Sequence, residues 1–301
     1  MDLNADRKMD LLTASFDGGM YFLEGLGKGK FAEAQPVKDK AGARILISQY
    51  WDYEEKTWTQ LETSQFPGEH AISCTTVDWD ADGDFDLLLG TSSGKLFLRR
   101  NEGSARNISF ATRNEQIDNE NDGVDVPGGG AMIVVADWDL DGMWDIVSGS
   151  NSGEVYWFRN TGRIGKPQFS EAIKLVNASG KNSSPSDETI RPGTRVQVSV
   201  GDHNADGLPD LLVGDYSSQF VKGTEFTPEK RTRYDALRKE LRTLTGSLSE
   251  LSEKNTQNEG TTSDSDRAKL EERRQELEKE LSALRPKTSR HGWVWLFERK
   301  S

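Results

Sequence analysis

The sequence predicts an all-β fold with an α insertion: a β-propeller of four-stranded blades, four of them visible, with an antiparallel helical hairpin inserted in the last. Three observations carry this reading. One acidic pattern recurs four times, short apolar strands flank the copies in one order, and a run with leucines spaced three and four apart interrupts the last copy.

The acidic copies start at residues 2, 78, 137 and 202 and align without gaps as DLNADRKMDLL, DWDADGDFDLL, DWDLDGMWDIV and DHNADGLPDLL. An apolar first strand precedes the second, third and fourth copies, at 71–77, 131–136 and 196–200. A second strand follows each of these copies, at 87–90, 146–149 and 211–214, and then a glycine-containing turn. Aromatic third strands come next: MYFLEG from Met20, KLFLRRN from Lys95 and EVYWFRN from Glu154. A short fourth strand lies around 31–37, 110–117 and 169–176. Runs rich in Val, Ile, Phe, Tyr and Trp, punctuated by Gly and Asn, read as antiparallel strands, and four per unit is the arithmetic of a propeller blade.

The missing third strand of the last unit reappears as GWVWLFER from Gly292, so residues 219–291 interrupt the turn between its second and third strands. Inside them Tyr234, Leu237, Leu241, Leu244, Leu248 and Leu251, then Leu270, Leu277, Leu281 and Leu284, follow helical spacing. Thr227 and Pro228 supply a cap and a first-turn proline, 255–264 is a polar loop, and Pro286 stops the second helix. The division expected is therefore blades over 1–218 plus 292–301 and a coiled-coil hairpin over 226–286. The leucine stripe has two readings: it zips the helices together, or it presents a face for a partner or for self-association.

The pattern D-x-[DN]-x-D-G-x-x-D places oxygen donors at positions 1, 3, 5 and 9, with the position-7 carbonyl free. Hard cations that take six to eight oxygens suit such a loop, and Ca²⁺ is the expected cofactor. The predicted ligands are Asp2, Asn4, Asp6 and Asp10; Asp78, Asp80, Asp82, Asp84 and Asp86; Asp137, Asp139, Asp141, Met143 and Asp145; and Asp202, Asn204, Asp206, Leu208 and Asp210. Gly83, Gly142 and Gly207 allow the sharp turn at position 6, whereas the first loop has Arg7 there and is expected to bind weakest. An EF-hand is excluded, because position 12 holds Leu89, Ser148 or Val213 rather than Glu. A dockerin-like loop runs into a helix, but these loops run into strands.

Composition agrees. The 301 residues include 50 acidic and 38 basic side chains, a net charge of −12. This balance argues against general binding of nucleic acid or anionic membranes. The loops hold 15 Asp, so four divalent cations would leave a net charge of about −4. Cys74 is the single cysteine, which rules out an internal disulfide, and it reads as a small core residue. No run approaches the roughly 18 apolar residues of a membrane span. His70, His203 and His291 lack zinc-ligand spacing, no G-x-S-x-G is present, and GTSSGK at 90–95 reads as a turn. The aspartates are accounted for as metal ligands, so no catalysis is expected.

The acidic runs and the strands after them resemble the FG-GAP/VCBS repeats of integrin α-subunit propellers and of many secreted bacterial proteins. The likeness covers 2–218 and 292–300. The hairpin, absent from integrin propellers, and the closing WVWLF strand resemble uncharacterised bacterial VCBS-repeat proteins. The resemblance implies cation loops between the first and second strands, on one face of the propeller, and an extracellular, periplasmic or cell-surface location. It also implies a scaffold for adhesion or for binding protein or glycan ligands. An accessory part of a carbohydrate-active enzyme is the alternative.

Two expectations concern the ends. The first blade lacks its first strand and the last its fourth, which suits either part of a longer propeller or a ring closed by pairing the two ends. Three long connections, 49–70, 118–130 and 177–193, share the face opposite the cation loops. Trp51, Tyr53 and Trp58 in the first have two readings, packing that loop onto the blade or stacking against a sugar or protein, while Asp118, Glu120, Asp122 and Asp125 read as a solvated acidic cluster.

Overall fold

Blade strands form at every copy of the repeat in a computed structural model, which describes residues 1–62, 64–117, 123–178, 192–221, 223–224, 226–256 and 264–300. The first sheet has three strands in the order β1 (Leu11–Ala14), β2 (Met20–Leu23) and β5 (Gln35–Pro36), with the small ribbon β3 (Gly25–Gly27) and β4 (Lys30–Phe31) between the last two in sequence. A second ribbon, β6 (Gln49–Asp52) with β7 (Thr57–Gln60), occupies the connection to the next sheet. That sheet is β8 (Ala71–Val77), β9 (Asp86–Thr91), β10 (Leu96–Arg99) and β11 (Glu115–Gln116). The third is β12 (Met132–Ala136), β13 (Asp145–Gly149), β14 (Val155–Phe158) and β15 (Ile173–Val176).

The fourth sheet contains β16 (Thr194–Gly201) and β17 (Asp210–Phe220). Helices α1 (Pro228–Thr256) and α2 (Asp264–Leu284) follow, and then β18 (Thr288–His291) and β19 (Val294–Phe297) both pair with β17. Val213 of β17 lies opposite Trp295 of β19, which makes β19 the blade's third strand. The pairing of β17 with β18 is not anticipated by the sequence: β17 continues past the blade, and β18 runs alongside it. All pairings are antiparallel where a register is defined, and among the described residues no strand of the first sheet pairs with the last.

The sheets are blades of a propeller. Packing runs in succession, β1 on β8, β8 on β12 and β12 on β16. Because successive side chains of a strand point to opposite faces, each blade divides its apolar residues between two neighbours. Leu87, Leu89 and Phe97 join Met20 and Val37 of the first sheet in one cluster. Leu88, Leu96 and Leu98 join Ile133, Ile146, Tyr156 and Phe158 of the third in another. Val147 and Val155 of the third sheet pack with Val196, Leu211 and Val213 of the fourth. Burial on both faces explains why Leu87 to Leu89 of β9 and Leu96 to Leu98 of β10 are unbroken apolar runs, and both strands are wholly buried. The corresponding outer face of the fourth blade is open: Val294, matching Leu96 and Val155, is 75% exposed.

The second strands of the second and third blades carry a glycine near their ends for a steric reason. A Cβ on Gly90 would overlap the carbonyl oxygen of Ala131, and one on Gly149 would overlap that of Val196, each from the next blade. At Gly214, the same step of the last blade, nothing lies within 4 Å.

The helical region, 218–290, forms a second compact unit and is described by itself. The Thr227 hydroxyl accepts the Lys230 N–H at 3.3 Å and caps α1. Leu237 and Leu277 are fully buried. The pairs Arg233–Glu280 and Glu240–Arg273, both at 2.8 Å, link the helices in antiparallel order. Most of the predicted 255–264 loop lies outside the described residues.

Gly90→Ala and Gly149→Ala are expected to lower unfolding free energy by about 2 kcal/mol or more, because backbone must move to admit the methyl group. Gly214→Ala is expected to change it by less than about 0.5 kcal/mol. Urea unfolding monitored by tryptophan fluorescence reads both, and equal losses at all three positions would refute this account of the interfaces.

Candidate metal centres

All four acidic loops are folded alike. The position-1 carboxylate accepts two backbone N–H groups: Asp82 and Gly83 donate to Asp78 at 3.1 and 3.2 Å, and Asp141 and Gly142 to Asp137 at 3.1 and 3.0 Å. Asp206 and Gly207 do the same for Asp202, and Asp6 and Arg7 for Asp2. The position-5 carboxylate accepts the position-7 N–H, from Lys8, Asp84, Met143 or Leu208. Closing so small a loop needs a left-handed backbone at positions 4 and 6. Ala5, Ala81, Leu140 and Ala205 therefore have φ between 56° and 63°, and Gly83, Gly142 and Gly207 between 86° and 93°. Arg7 takes the same conformation at φ 69° without a glycine's freedom.

Position 9 has a separate task. Asp86 accepts N–H bonds from Trp79 at 3.1 Å and Asn101 at 2.6 Å; Asp145 accepts them from Trp138 at 3.1 Å and Asn160 at 2.7 Å. Asp210 takes His203 and Arg299, both at 2.9 Å, and Asp10 takes Leu3 at 2.9 Å and Gly25 at 2.7 Å. Each of these carboxylates is buried and clasps the start of its loop to the end of the third strand.

Two loops gather enough donors for a cation. Carboxylate oxygens of Asp78, Asp80 and Asp82 lie within 4.8 Å of one another, as do those of Asp137, Asp139 and Asp145. Among the described residues the first and fourth loops, with Asn4 and Asn204 at position 3, bring no such triad together. The clusters are electrostatically loaded. Burial, joined by the charges of Asp80 and Asp84, pushes the Asp86 carboxyl up to about 6. Asp84 is raised by burial and by Asp82, Asp80 and Asp78, and Asp145 by burial. A hard cation relieves this repulsion.

Basic side chains already partly do so, and the sequence reading missed them. Arg100 pairs with Asp80 at 3.0 Å, and Arg159 with Asp139 at 2.5 Å and Asp141 at 3.0 Å. Lys8 at position 7 pairs with Asp6 at 2.9 Å. The signal for the arginines was the Arg-Asn step that closes both aromatic strands.

The ribbon β6–β7 carries the candidate stacking residues. Trp51 and Trp58 face each other across it, 5.9 Å between ring centroids, and each lies 5.7 Å from Phe16. Trp58 also lies over His70 at 4.3 Å. Phe16 is 68% exposed, whereas Tyr53 is exposed apart from the cluster. Asp118, Glu120 and Asp122 lie outside the described residues. Burial pushes the Cys74 thiol up to about 12, which makes it inert.

Residues 137–213, from the third loop to the strand after the fourth, match the family described as FG-GAP-like repeat. No curated protein matches the chain. Similar solved structures include BBS1N in complex with ARL6DN soaked with mercury, at 15% identity and TM-score 0.31 over 76% of this chain and 69% of that one. The same complex soaked with lead gives 17% identity and TM-score 0.32 over 72% and 61%.

In chelator, Asp145→Ala is expected to cost about 3 kcal/mol, because it orphans two buried N–H groups, whereas Asp141→Ala at the rim costs less than about 1 kcal/mol. Arg7→Gly is expected to stabilise by about 0.5–1 kcal/mol by removing left-handed strain. Denaturant titrations in EDTA measure all three; an Asp141→Ala loss as large as that of Asp145→Ala would refute the division of roles.

Proposed function

Given the FG-GAP-like repeat that this chain carries, we propose that it is a Ca²⁺-stabilised propeller module serving as a binding or adhesion scaffold outside the cytoplasm, without catalysis of its own. The observation that carries the proposal is the convergence of carboxylate oxygens in the second and third loops, held by a backbone that is left-handed at the same two positions in every copy. Asp78, Asp80 and Asp82 would hold one ion, and Asp137, Asp139 and Asp145 another. Bound there, Ca²⁺ supplies charge neutralisation and crosslinks each loop. Extracellular Ca²⁺ modules bind at about 10⁻⁴–10⁻³ M, which suits the outside of a cell. No helix among the described residues is long and apolar enough to cross a membrane.

The aromatic patch of exposed Phe16 with half-buried Trp51 and Trp58 is the favoured contact for a protein or glycan ligand, since rigid rings supply stacking area at low entropic cost. Loops on a rigid scaffold commonly carry recognition.

Titrating CaCl₂ into chelator-treated protein in a calorimeter is expected to give saturable heat and a higher melting temperature, both reduced by Asp80→Ala and Asp139→Ala. An unchanged melting temperature between EGTA and 5 mM Ca²⁺ (~50 times a Kd of 10⁻⁴ M) would sink the proposal. Burial pushes the Asp86 carboxyl, which closes the second loop, up to about 6, so that loop loses the anion holding it closed as pH falls. Affinity should therefore fall between pH 7 and pH 5, above the range of ordinary carboxylates. Glycan-array binding with and without Phe16→Ala tests the patch.

A further inference from the structure

Among the described residues one basic side chain is buried, and it lies outside the acidic loops. The third strands of the first, third and fourth blades reach their last apolar step at Leu23, Phe158 and Phe297; in the second blade that step is Arg99. Arg99 is nevertheless 4% exposed, nearly as buried as Phe158, whereas Leu23 and Phe297 are half-buried. Its Nε donates to Asn114 Oδ1 at 2.9 Å, Nη1 to the Ala111 carbonyl at 2.7 Å and Nη2 to the Leu46 carbonyl at 3.3 Å. These acceptors are neutral. The one carboxylate paired with it, Asp39, stands 4.0 Å away, and Asp39 Oδ1 is occupied by the Ala41 and Ala43 N–H groups. A guanidinium has five N–H donors, so two remain, and burying an ion without a close counterion is costly. Burial lowers the Arg99 pKa to about 10, against the pull of Asp39.

Arg99 lines a cleft of about 670 Å³, within the size range of small-molecule sites. Two further arginines border it. Arg44 holds Asp17 at 2.7 Å and Tyr21 at 3.1 Å through a single nitrogen, Nη2. Arg113 is exposed and makes no ion pair among the described residues. Leu61 and Phe66 supply an apolar wall. The cleft therefore collects three guanidinium groups against one carboxylate, Asp39, in a chain of net charge −12.

We propose that this cleft binds a small carboxylate, whose oxygens are received by the guanidinium groups of Arg99 and Arg113 and whose carbon skeleton lies along Leu61 and Phe66. Guanidinium suits this role because its planar fork matches a carboxylate in both charge and geometry. The site is separate from the acidic loops and from the aromatic patch, so it stands whether or not those bind their ligands.

Calorimetry on the full chain, with ionic strength held constant, compares sodium acetate and sodium glucuronate with glucose and sodium sulfate. Saturable heat is expected for a carboxylate and not for glucose. Arg113→Ala is expected to weaken binding by ~10-fold, the loss of one charge-assisted contact, and Arg99→Met to abolish it. Should Arg99→Met fail to fold, Arg113→Glu is the decisive variant, and binding should vanish in it as well. No saturable signal from either carboxylate, equal affinity for glucose or sulfate, or an Arg113→Ala protein that binds like the wild type would each overturn the proposal.

Discussion

The blades hang on one hydrogen-bonded group, the buried carboxylate at position 9 of each acidic loop. Asp86, Asp145 and Asp210 are each the first residue of a second strand. Each accepts one N–H from the loop it closes and one from the residue beyond the third strand. That geometry sets the pairing of second and third strands, as in Leu87 opposite Arg99 and Ile146 opposite Phe158. Strand register matters here because both faces are buried. A slip of one residue would send Leu88 to the first blade's side and Leu87 and Leu89 to the third's, exchanging two packed cores at once. The carboxylate holds this register only while it stays charged and bonded, which places a buried anion beside a loop already crowded with acids. In the fourth loop the clasp bonds from Arg299 and His203 hold the Asp210 carboxyl below the usual carboxylate range.

Legibility from the sequence tracks the distance over which a signal acts. The strands and the acidic loops were legible because alternation, an aspartate every second residue and a glycine at a left-handed position are local. The helices were legible because their leucines repeat every three or four residues, and Leu237 and Leu277 are buried as that spacing requires. What escaped was set by contacts between distant segments. Phe16 joins Trp51 and Trp58 from the far side of a blade's worth of chain, and no pattern marks it. Arg100 and Arg159 reach back 20 residues to acids in their own blade. Arg7 marked the first loop as the weakest, yet its N–H bond to Asp2 holds it in the conformation a glycine would adopt freely. The extension of β17 beside β18 is likewise a pairing across the whole insertion.

Charge is partitioned within the blades. Acidic groups concentrate where chain turns are tightest, and three of the four loops hold a basic side chain against an acid: Lys8 in the first, Arg100 in the second and Arg159 in the third. Between the first two blades Arg44 pairs with Asp17 at 2.7 Å, and Arg99 is held by the Ala111 and Leu46 carbonyls and Asn114. Burial pushes the Asp17 carboxyl up, but its bonds to Arg44, Gly19 and Tyr21 outweigh that and hold it below the usual carboxylate range. The two regions solve the same problem differently. One places several anions around a gap, and the other spreads a buried cation over carbonyl oxygens.

The insertion in the last blade has a consequence for how such a chain can change. Leu212 pairs with Leu296 in the register of an uninterrupted hairpin, although a long helical segment separates them in sequence. The inserted helices run antiparallel and are linked to each other by their own ion pairs, so they return the chain close to where it left. Closing an unstructured loop of that length would cost entropy that grows with its logarithm; a segment that closes on itself removes most of that cost. This turn is therefore a graft point, where self-closing segments of other lengths and chemistries could be exchanged while the blade keeps its strands in step.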